Sequence, residues 1–279
     1  MSPWALEPGC PASCAADPVG RVPPGELARR YAALTYVLSR AAARGDRLAA
    51  PRVLRGEARA VLGALGVRLE AGPAGRLGVE VGGVGTLVVA NHISWLDVLA
   101  LLAIEPVCVL AKREVGQWPV IGALARRAGT RFIDRGGSPR ELPSVVAELA
   151  HELRGGTSIA VFPQATTWCS AAAGRFRRAA FQAAADAGAP VRPVTVAYRE
   201  GGAATTAAAF LGAEDFTTSL RRVAAARDLT VRITAHPPLW GTDRRALAAA
   251  AHRAVTSAAR TPPTAGRGPL RPVTPTSIA

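Results

Sequence analysis

Thr86-Leu87-Val88-Val89-Ala90 runs directly into Asn91-His92-Ile93-Ser94-Trp95-Leu96-Asp97. The first five residues form a short apolar run of the length of a buried strand, and from about Ser94 to Ala103 the apolar pattern continues at helical length. Strand, polar turn and helix in that order make the repeating unit of an α/β fold. The same alternation extends downstream. Val107–Leu110, Thr130–Ile133, Ser158–Phe162, Val191–Tyr198 and Leu229–Ala235 read as strands. Val120–Arg127, Pro139–Leu153, Phe176–Ala187 and residues 242–259 read as helices, the third of these closed by Gly188. The expected fold is α/β, a largely parallel mixed sheet flanked by helices.

Upstream, Leu27, Tyr31, Leu34 and Leu38 recur at spacings of three and four from Glu26 to about Arg47, and a second helix covers Arg52–Leu65, ending at Gly66. Arg29, Arg30 and Arg40 interrupt the first pattern. Two readings stay open for it: a helix packed on the domain, or an interfacial membrane helix. Six prolines in residues 1–24 predict a disordered head. The division that follows is a head (1–24), an N-terminal helical, membrane-associating segment (25–80), a main domain (81–259) and a disordered basic tail (260–279).

Composition narrows the class. The 279 residues are 49% hydrophobic and 19% charged, which excludes a wholly disordered chain. No apolar run reaches the roughly 18 residues of a membrane span. The best candidate, Val98–Ala111, is broken by Glu105 and Pro106. The net charge is +14, yet of 34 basic residues only Lys112 is a lysine. Such an arginine bias beside abundant alanine is as well explained by coding composition as by a partner. The charge suits anionic lipid headgroups, phosphate-bearing cofactors or nucleic acid alike. Cys10 and Cys14 lie in the head, Cys108 and Cys169 far from it, and no zinc-binding spacing is present. A metal site is not expected, reduced thiols are, and no secretory signal is evident.

Open α/β sheets bind ligands just beyond the carboxyl ends of their strands. Asn91-His92 stands there, with Asp97 five residues after the histidine. Across a strand-to-helix turn the carboxylate can take the imidazole N–H, fix the tautomer and leave the other nitrogen to accept a hydroxyl proton. This is the base and orienter of a hydrolytic triad without its serine. Taken alone, a capping histidine and a first-turn carboxylate explain the pair as simply. Ser94 reads as a helix N-cap rather than a nucleophile, because no glycine elbow surrounds it.

Further blocks follow in a fixed order: Lys112-Arg113-Glu114, Trp118-Pro119-Val120-Ile121-Gly122, Gly129-Thr130-Arg131-Phe132-Ile133-Asp134-Arg135, Phe162-Pro163-Gln164-Ala165-Thr166 and Val191-Arg192-Pro193-Val194. With Asn91-His92 and Asp97, this series resembles the glycerolipid (1-acylglycerol-3-phosphate, or lysophospholipid) acyltransferase family over about residues 80–200. The resemblance implies that His92 is the general base and Asp97 its orienting partner, and that Arg135 binds the acceptor's phosphate, a task for which a bidentate guanidinium is suited. It also places Asn91, Lys112, Gln164 and Thr166 among the substrate-binding blocks. The third block departs from the family, which has glutamate and glycine where Gln164 and Ala165 stand. Glutamine keeps hydrogen bonding without the charge, and alanine is costly if that position needs a positive φ. Arg175, Arg177 and Arg178 follow closely enough to supply phosphate contacts instead.

The activity implied is transfer of a fatty acyl group from acyl-coenzyme A or acyl carrier protein to a lysolipid hydroxyl. Lysophosphatidic acid is the first acceptor expected and lyso-ornithine lipid the second. A weakly active or non-catalytic lipid-binding relative is the rival reading that the Gln164-Ala165 departure favours. No cofactor beyond the acyl donor is implied, nor a nucleic-acid partner. The substrate class places the protein peripherally on the cytoplasmic face of a membrane.

Overall fold

The computed structural model describes residues 10–73, 75–79, 82–133, 142–172 and 174–260. The sheet is built from β1 (Arg68–Ala71), β2 (Leu87–Ala90), β3 (Cys108–Lys112), β4 (Arg131–Ile133), β5 (Ile159–Val161), β6 (Val191–Glu200), β7 (Ala203–Ala204) and β8 (Leu229–Ala235), in the order β1-β8-β6-β2-β5-β3-β4, with β7 paired to β6. Every pair is parallel except β6 with β8 and β6 with β7. The sheet is therefore largely parallel and mixed, as the alternation predicts.

Residues alternate between two faces because strand side chains have a period of two. Val88, Ala90, Val109, Ala160 and Val196 join one apolar core; Leu87, Val89, Ile159, Val161 and Val191 join the other. The first is covered by α1 (Pro24–Ala43), α2 (Pro51–Ala64), α3 (Leu96–Ile104) and α7 (Phe216–Ala225). The second lies under α5 (Leu142–Arg154), α6 (Ala179–Ala187) and α8 (Arg244–Arg260). The short α4 (Ile121–Arg127) links β3 to β4. Gly188 closes α6 in the left-handed conformation expected of a terminal glycine.

The N-terminal helices are not a separate unit, and the division at residue 80 does not follow the packing. Leu34 and Val37 of α1 share one core with Leu101 of α3 and Val231 of β8, while β1 lies in the sheet itself. Arg30 shows why α1 stays in place. Its buried guanidinium donates to the carbonyls of Leu65, Ala224 and Ala226 at 3.0, 3.0 and 2.7 Å. One cation thus satisfies the carboxyl ends of both α2 and α7, where carbonyls lack helical partners and the dipole is negative. The arginine that looked like an interruption of the apolar stripe is part of the core.

The head also differs from expectation in its described part, since residues 10–23 lie against the domain. Cys10 is buried, Ala16 N–H donates to Thr206 Oγ1 at 3.0 Å, and Arg21 bridges Ala226. The basic tail beyond Arg260 lies outside the described residues. Helix α7 was not anticipated, although Asp215 before Phe216-Thr217-Thr218 is an N-cap signal; its carboxylate accepts the Thr218 N–H at 2.9 Å.

Candidate active site

Strands β2, β3, β4 and β5 run parallel, so the loops at their carboxyl ends share one edge of the sheet. Asn91 is where the chain leaves β2. Its amide continues the ladder to β6: Val196 N–H donates to Oδ1 at 2.8 Å, and Nδ2 donates to the Val196 carbonyl at 2.9 Å. The side chain is fully buried and both its polar atoms bond backbone, so Asn91 positions the loop and is not exposed to substrate. This corrects its placement among the substrate-binding residues.

His92 is held at three points. Its N–H donates to Gln164 Oε1 at 2.7 Å, its carbonyl accepts from Trp168 N–H at 2.8 Å, and its ring stacks on Phe162 with centroids 4.0 Å apart. Gln164, Phe162 and Trp168 all belong to β5's exit, so the two loops are fastened to each other. Gln164 is buried, and its oxygen positions the backbone of His92.

Asp97 lies in the first turn of α3 and is wholly buried. Its Oδ2 faces His92 Nδ1 at 2.8 Å and accepts the backbone N–H groups of Ile93 and Ser94 at 2.7 and 2.9 Å. Its Oδ1 accepts the Tyr198 hydroxyl at 2.6 Å. A carboxylate surrounded by donors is acceptor-only, which assigns the proton to Nδ1 of His92 and leaves the Nε2 lone pair available. The His92 side chain is 22% exposed while that of Asp97 is inaccessible. Burial, and then the adjacent Asp97 charge, push the Tyr198 hydroxyl well above its usual range, so it remains a donor. His92 is thus paired with Asp97, and Asp97 has a second support in Tyr198.

The remaining predicted residues scatter along the same edge. Lys112 ends β3 and is exposed; Thr166 is half-buried in the loop after β5. Arg135 lies outside the described residues. Arg175, Arg177 and Arg178 are exposed, and Arg177 is drawn beside the loop by its N–H donating to the Pro163 carbonyl at 2.9 Å. Ala165 adopts φ +62°, so the backbone does hold the left-handed geometry in which the family's glycine is at ease. Val120, at φ +61°, centres a tight γ-turn closed by Ile121 N–H to the Pro119 carbonyl at 2.6 Å.

Sequence reasoning missed three contributors. Tyr198 was read as the end of a strand, and only the parallel pairing of β6 beside β2 carries it to Asp97. Phe162 was noted only as part of a block. The third is a half-buried aromatic group, Trp95, Trp118, Phe210 and Phe216, with ring separations of 5.1 to 6.4 Å between contacting neighbours. Its members come from four separate segments and carry no common spacing. A cavity of about 450 Å³ opens elsewhere, at the amino ends of β2 and β5, lined by Gly78, Val79, Gly85, Glu105 and Ser158. Its size does not make it the site: the Glu105 carboxylate is committed to the N–H groups of Leu77 and Gly78.

Comparison with known proteins identifies a family. A family model described as Acyltransferase matches residues 78–197. The 1-acyl-sn-glycerol-3-phosphate acyltransferase of Neisseria meningitidis serogroup B is 37% identical over 175 residues, covering 63% of this chain and 67% of that protein. The lyso-ornithine lipid O-acyltransferase of Pseudomonas aeruginosa is 37% identical over 171 residues, covering 61% and 66%. The chain thus spans about two thirds of these relatives' length. The crystal structure of the 1-acyl-sn-glycerophosphate acyltransferase PlsC from Thermotoga maritima superposes with a TM-score of 0.58 at 18% identity, over 84% of this chain and 93% of that one, and shares the fold. Matched through the strand, loop and helix that carry His92 and Asp97, the chain belongs to the acyltransferase family.

Proposed function

We propose that this protein transfers an acyl group from a thioester to the hydroxyl of a lysolipid, with His92 as general base. The observation that carries the reading is the His92–Asp97 contact of 2.8 Å, with Asp97 buried and His92 partly open to the surface. Nε2 of His92 takes the proton as the lysolipid oxygen attacks the thioester carbonyl. The tetrahedral intermediate collapses, the carbon–sulfur bond breaks, and the imidazolium returns the proton to the departing thiolate. No covalent enzyme intermediate is needed, and no cofactor beyond the donor, acyl-coenzyme A or acyl carrier protein. Asp97 stabilises the imidazolium, and Tyr198 supports Asp97.

Lysophosphatidic acid is the first acceptor to test, with the exposed Lys112 and Arg177, and Arg135 by the family resemblance, as the cations for its phosphate. The equal identity to a lyso-ornithine lipid acyltransferase favours lyso-ornithine lipid as the second. Purified full-length chain in detergent, offered each donor with both acceptors and read by mass spectrometry, decides between them. His92→Ala lowers turnover by about 10²–10⁴-fold if the base assignment holds. Undiminished product from that variant overturns it.

The protein works at a membrane surface, peripherally and on the cytoplasmic face where both donors are made. Among the described residues no helix is long and apolar enough to cross a membrane. The outward face of α1 presents Arg29 and Tyr36, the latter 66% exposed. Removing residues 1–50 would strip the core of Leu34, Val37 and Leu48, so the cleaner probe is Arg29→Ala with Tyr36→Ala. Reduced flotation with anionic liposomes is expected from this pair; unchanged flotation counts against α1 as the contact.

A further inference from the structure

Three of the four cysteines, unrelated in sequence, converge in the fold. Cys10 and Cys169 are 159 residues apart in the chain, and their sulfurs lie 3.3 Å apart. Cys14 joins them, and all three Sγ atoms fall within 4.8 Å of one another. A single turn of 3-10 helix over Ala12–Cys14 turns Cys10 and Cys14 to the same side. That turn is fastened to the domain by Ala16 N–H on Thr206 Oγ1 and by Gly20 N–H on Glu200 Oε1 at 3.1 Å. Cys169 follows Trp168, the residue whose N–H holds the His92 carbonyl.

We propose that Cys10, Cys14 and Cys169 form a three-thiolate site for a thiophilic d10 cation, zinc(II) with a water in the fourth position. With zinc–sulfur bonds of about 2.3 Å, sulfur ligands of a tetrahedral ion stand roughly 3.8 Å apart, a spacing the three sulfurs, all within 4.8 Å of one another, reach with small side-chain adjustments. A disulfide would draw two sulfurs to about 2.05 Å and leave the third unused, whereas a metal uses all three. Binding replaces three thiol protons, which leave to solvent, by three metal–sulfur bonds, with no oxidant required. Among the described residues no fourth His, Cys, Asp or Glu joins the group, and Cys14 and Cys169 are only half-buried, so the fourth position opens to water. The ion would clasp the N-terminal segment to the loop that positions the catalytic histidine. It is a structural clasp, and takes no part in the acyl-transfer step.

The test uses the full chain, reduced with a phosphine and freed of metal. Zinc(II) is titrated against a chromophoric chelator, and cobalt(II) is added separately as a spectroscopic probe. One equivalent of zinc, and a thiolate-to-cobalt charge-transfer band, are expected. Cys169→Ser and Cys14→Ser each lower the zinc affinity by about 100-fold or more and abolish the band. Cys108→Ser leaves both unchanged, because that thiol stands apart on β3, facing the Gly129 carbonyl. Circular dichroism identifies any variant that fails to fold; Cys14, half-buried where Cys10 is buried, is the milder substitution of those two. Zinc binding that survives Cys169→Ser in folded protein overturns the proposal. So does reduced wild-type chain that binds no zinc, whether or not a Cys10–Cys169 disulfide forms in air.

Discussion

The loop after β2 and the loop after β5 leave neighbouring parallel strands at the same edge, yet their side chains are used differently. In the first, His92 and Asp97 face each other within five residues of chain, and both Asp97 carboxylate oxygens are hydrogen-bonded, Oδ2 with His92, Ile93 and Ser94 and Oδ1 with Tyr198. In the second, Gln164, Phe162 and Trp168 spend their contacts on the first loop: one holds the His92 N–H, one stacks on its ring, one holds its carbonyl. The His92–Asp97 pair is local to one loop and its support is local to the other. A departure from the family pattern in the supporting loop therefore alters how firmly His92 is held, while leaving the His92–Asp97 pair intact.

Substitutions at four positions break or sharpen this contrast. Asp97→Asn strikes the first loop and has the largest effect: the imidazole loses its orienting charge, and kcat falls by about 10²–10⁴-fold with little change in KM. Initial rates of the folded variant check this, and a near-normal rate would end the claim that the first loop holds the chemistry. Tyr198→Phe removes one bond to a buried charge, lowering stability by about 1.5–3 kcal/mol in denaturant titration. It slows turnover less than Asp97→Asn does. It also carries a pH signature. The folded Tyr198 hydroxyl is held above its unfolded value, so its contribution is complete below about pH 10 and fades as pH rises and the unfolded chain releases that proton. The alkaline loss of stability is shallower in Tyr198→Phe than in the wild type.

The other two concern the supporting loop. Gln164→Ala leaves the His92 N–H without its acceptor and costs about 1–3 kcal/mol, while Gln164→Glu keeps an oxygen there and costs less. Equal melting points for the two would show that the contact contributes nothing. Ala165→Gly has the smallest effect and the opposite sign. At φ +62° a Cβ is unfavourable by about 1 kcal/mol, so the glycine variant melts roughly 2–4 °C higher with unchanged turnover. A lower melting point would mean that the buried methyl packs better than the backbone strain costs.

The elements that were legible in the sequence are those whose signal is short and local. Strand Leu87–Ala90 is an apolar run, α6 ends at a glycine that takes the left-handed conformation, and His92 and Asp97 lie close enough in the chain for the turn alone to pair them. β1, with the burial of Arg68–Ala71 mostly shallow, offered no apolar run to read. Asn91 and Gln164 are expected among the substrate-binding blocks through the family resemblance, since the sequence shows a polar side chain without its partner. In the fold their partners are the backbone of β6 and of His92, and buried amides must be satisfied there.

By itself the sequence determined the α/β class, the strand-loop-helix that bears His92, and the closeness of that histidine to Asp97. All three depend on residues within a few positions of one another, where periodicity and spacing act directly. Only the tertiary structure decided that Arg30 closes two helix ends, that Tyr198 supports Asp97 from 101 residues away, and that Cys10 and Cys14 meet Cys169. These contacts depend on the order of strands across the sheet and on how the N-terminal segment lies over it. A pattern along one chain carries no record of which distant residue will satisfy a buried charge or face a thiol.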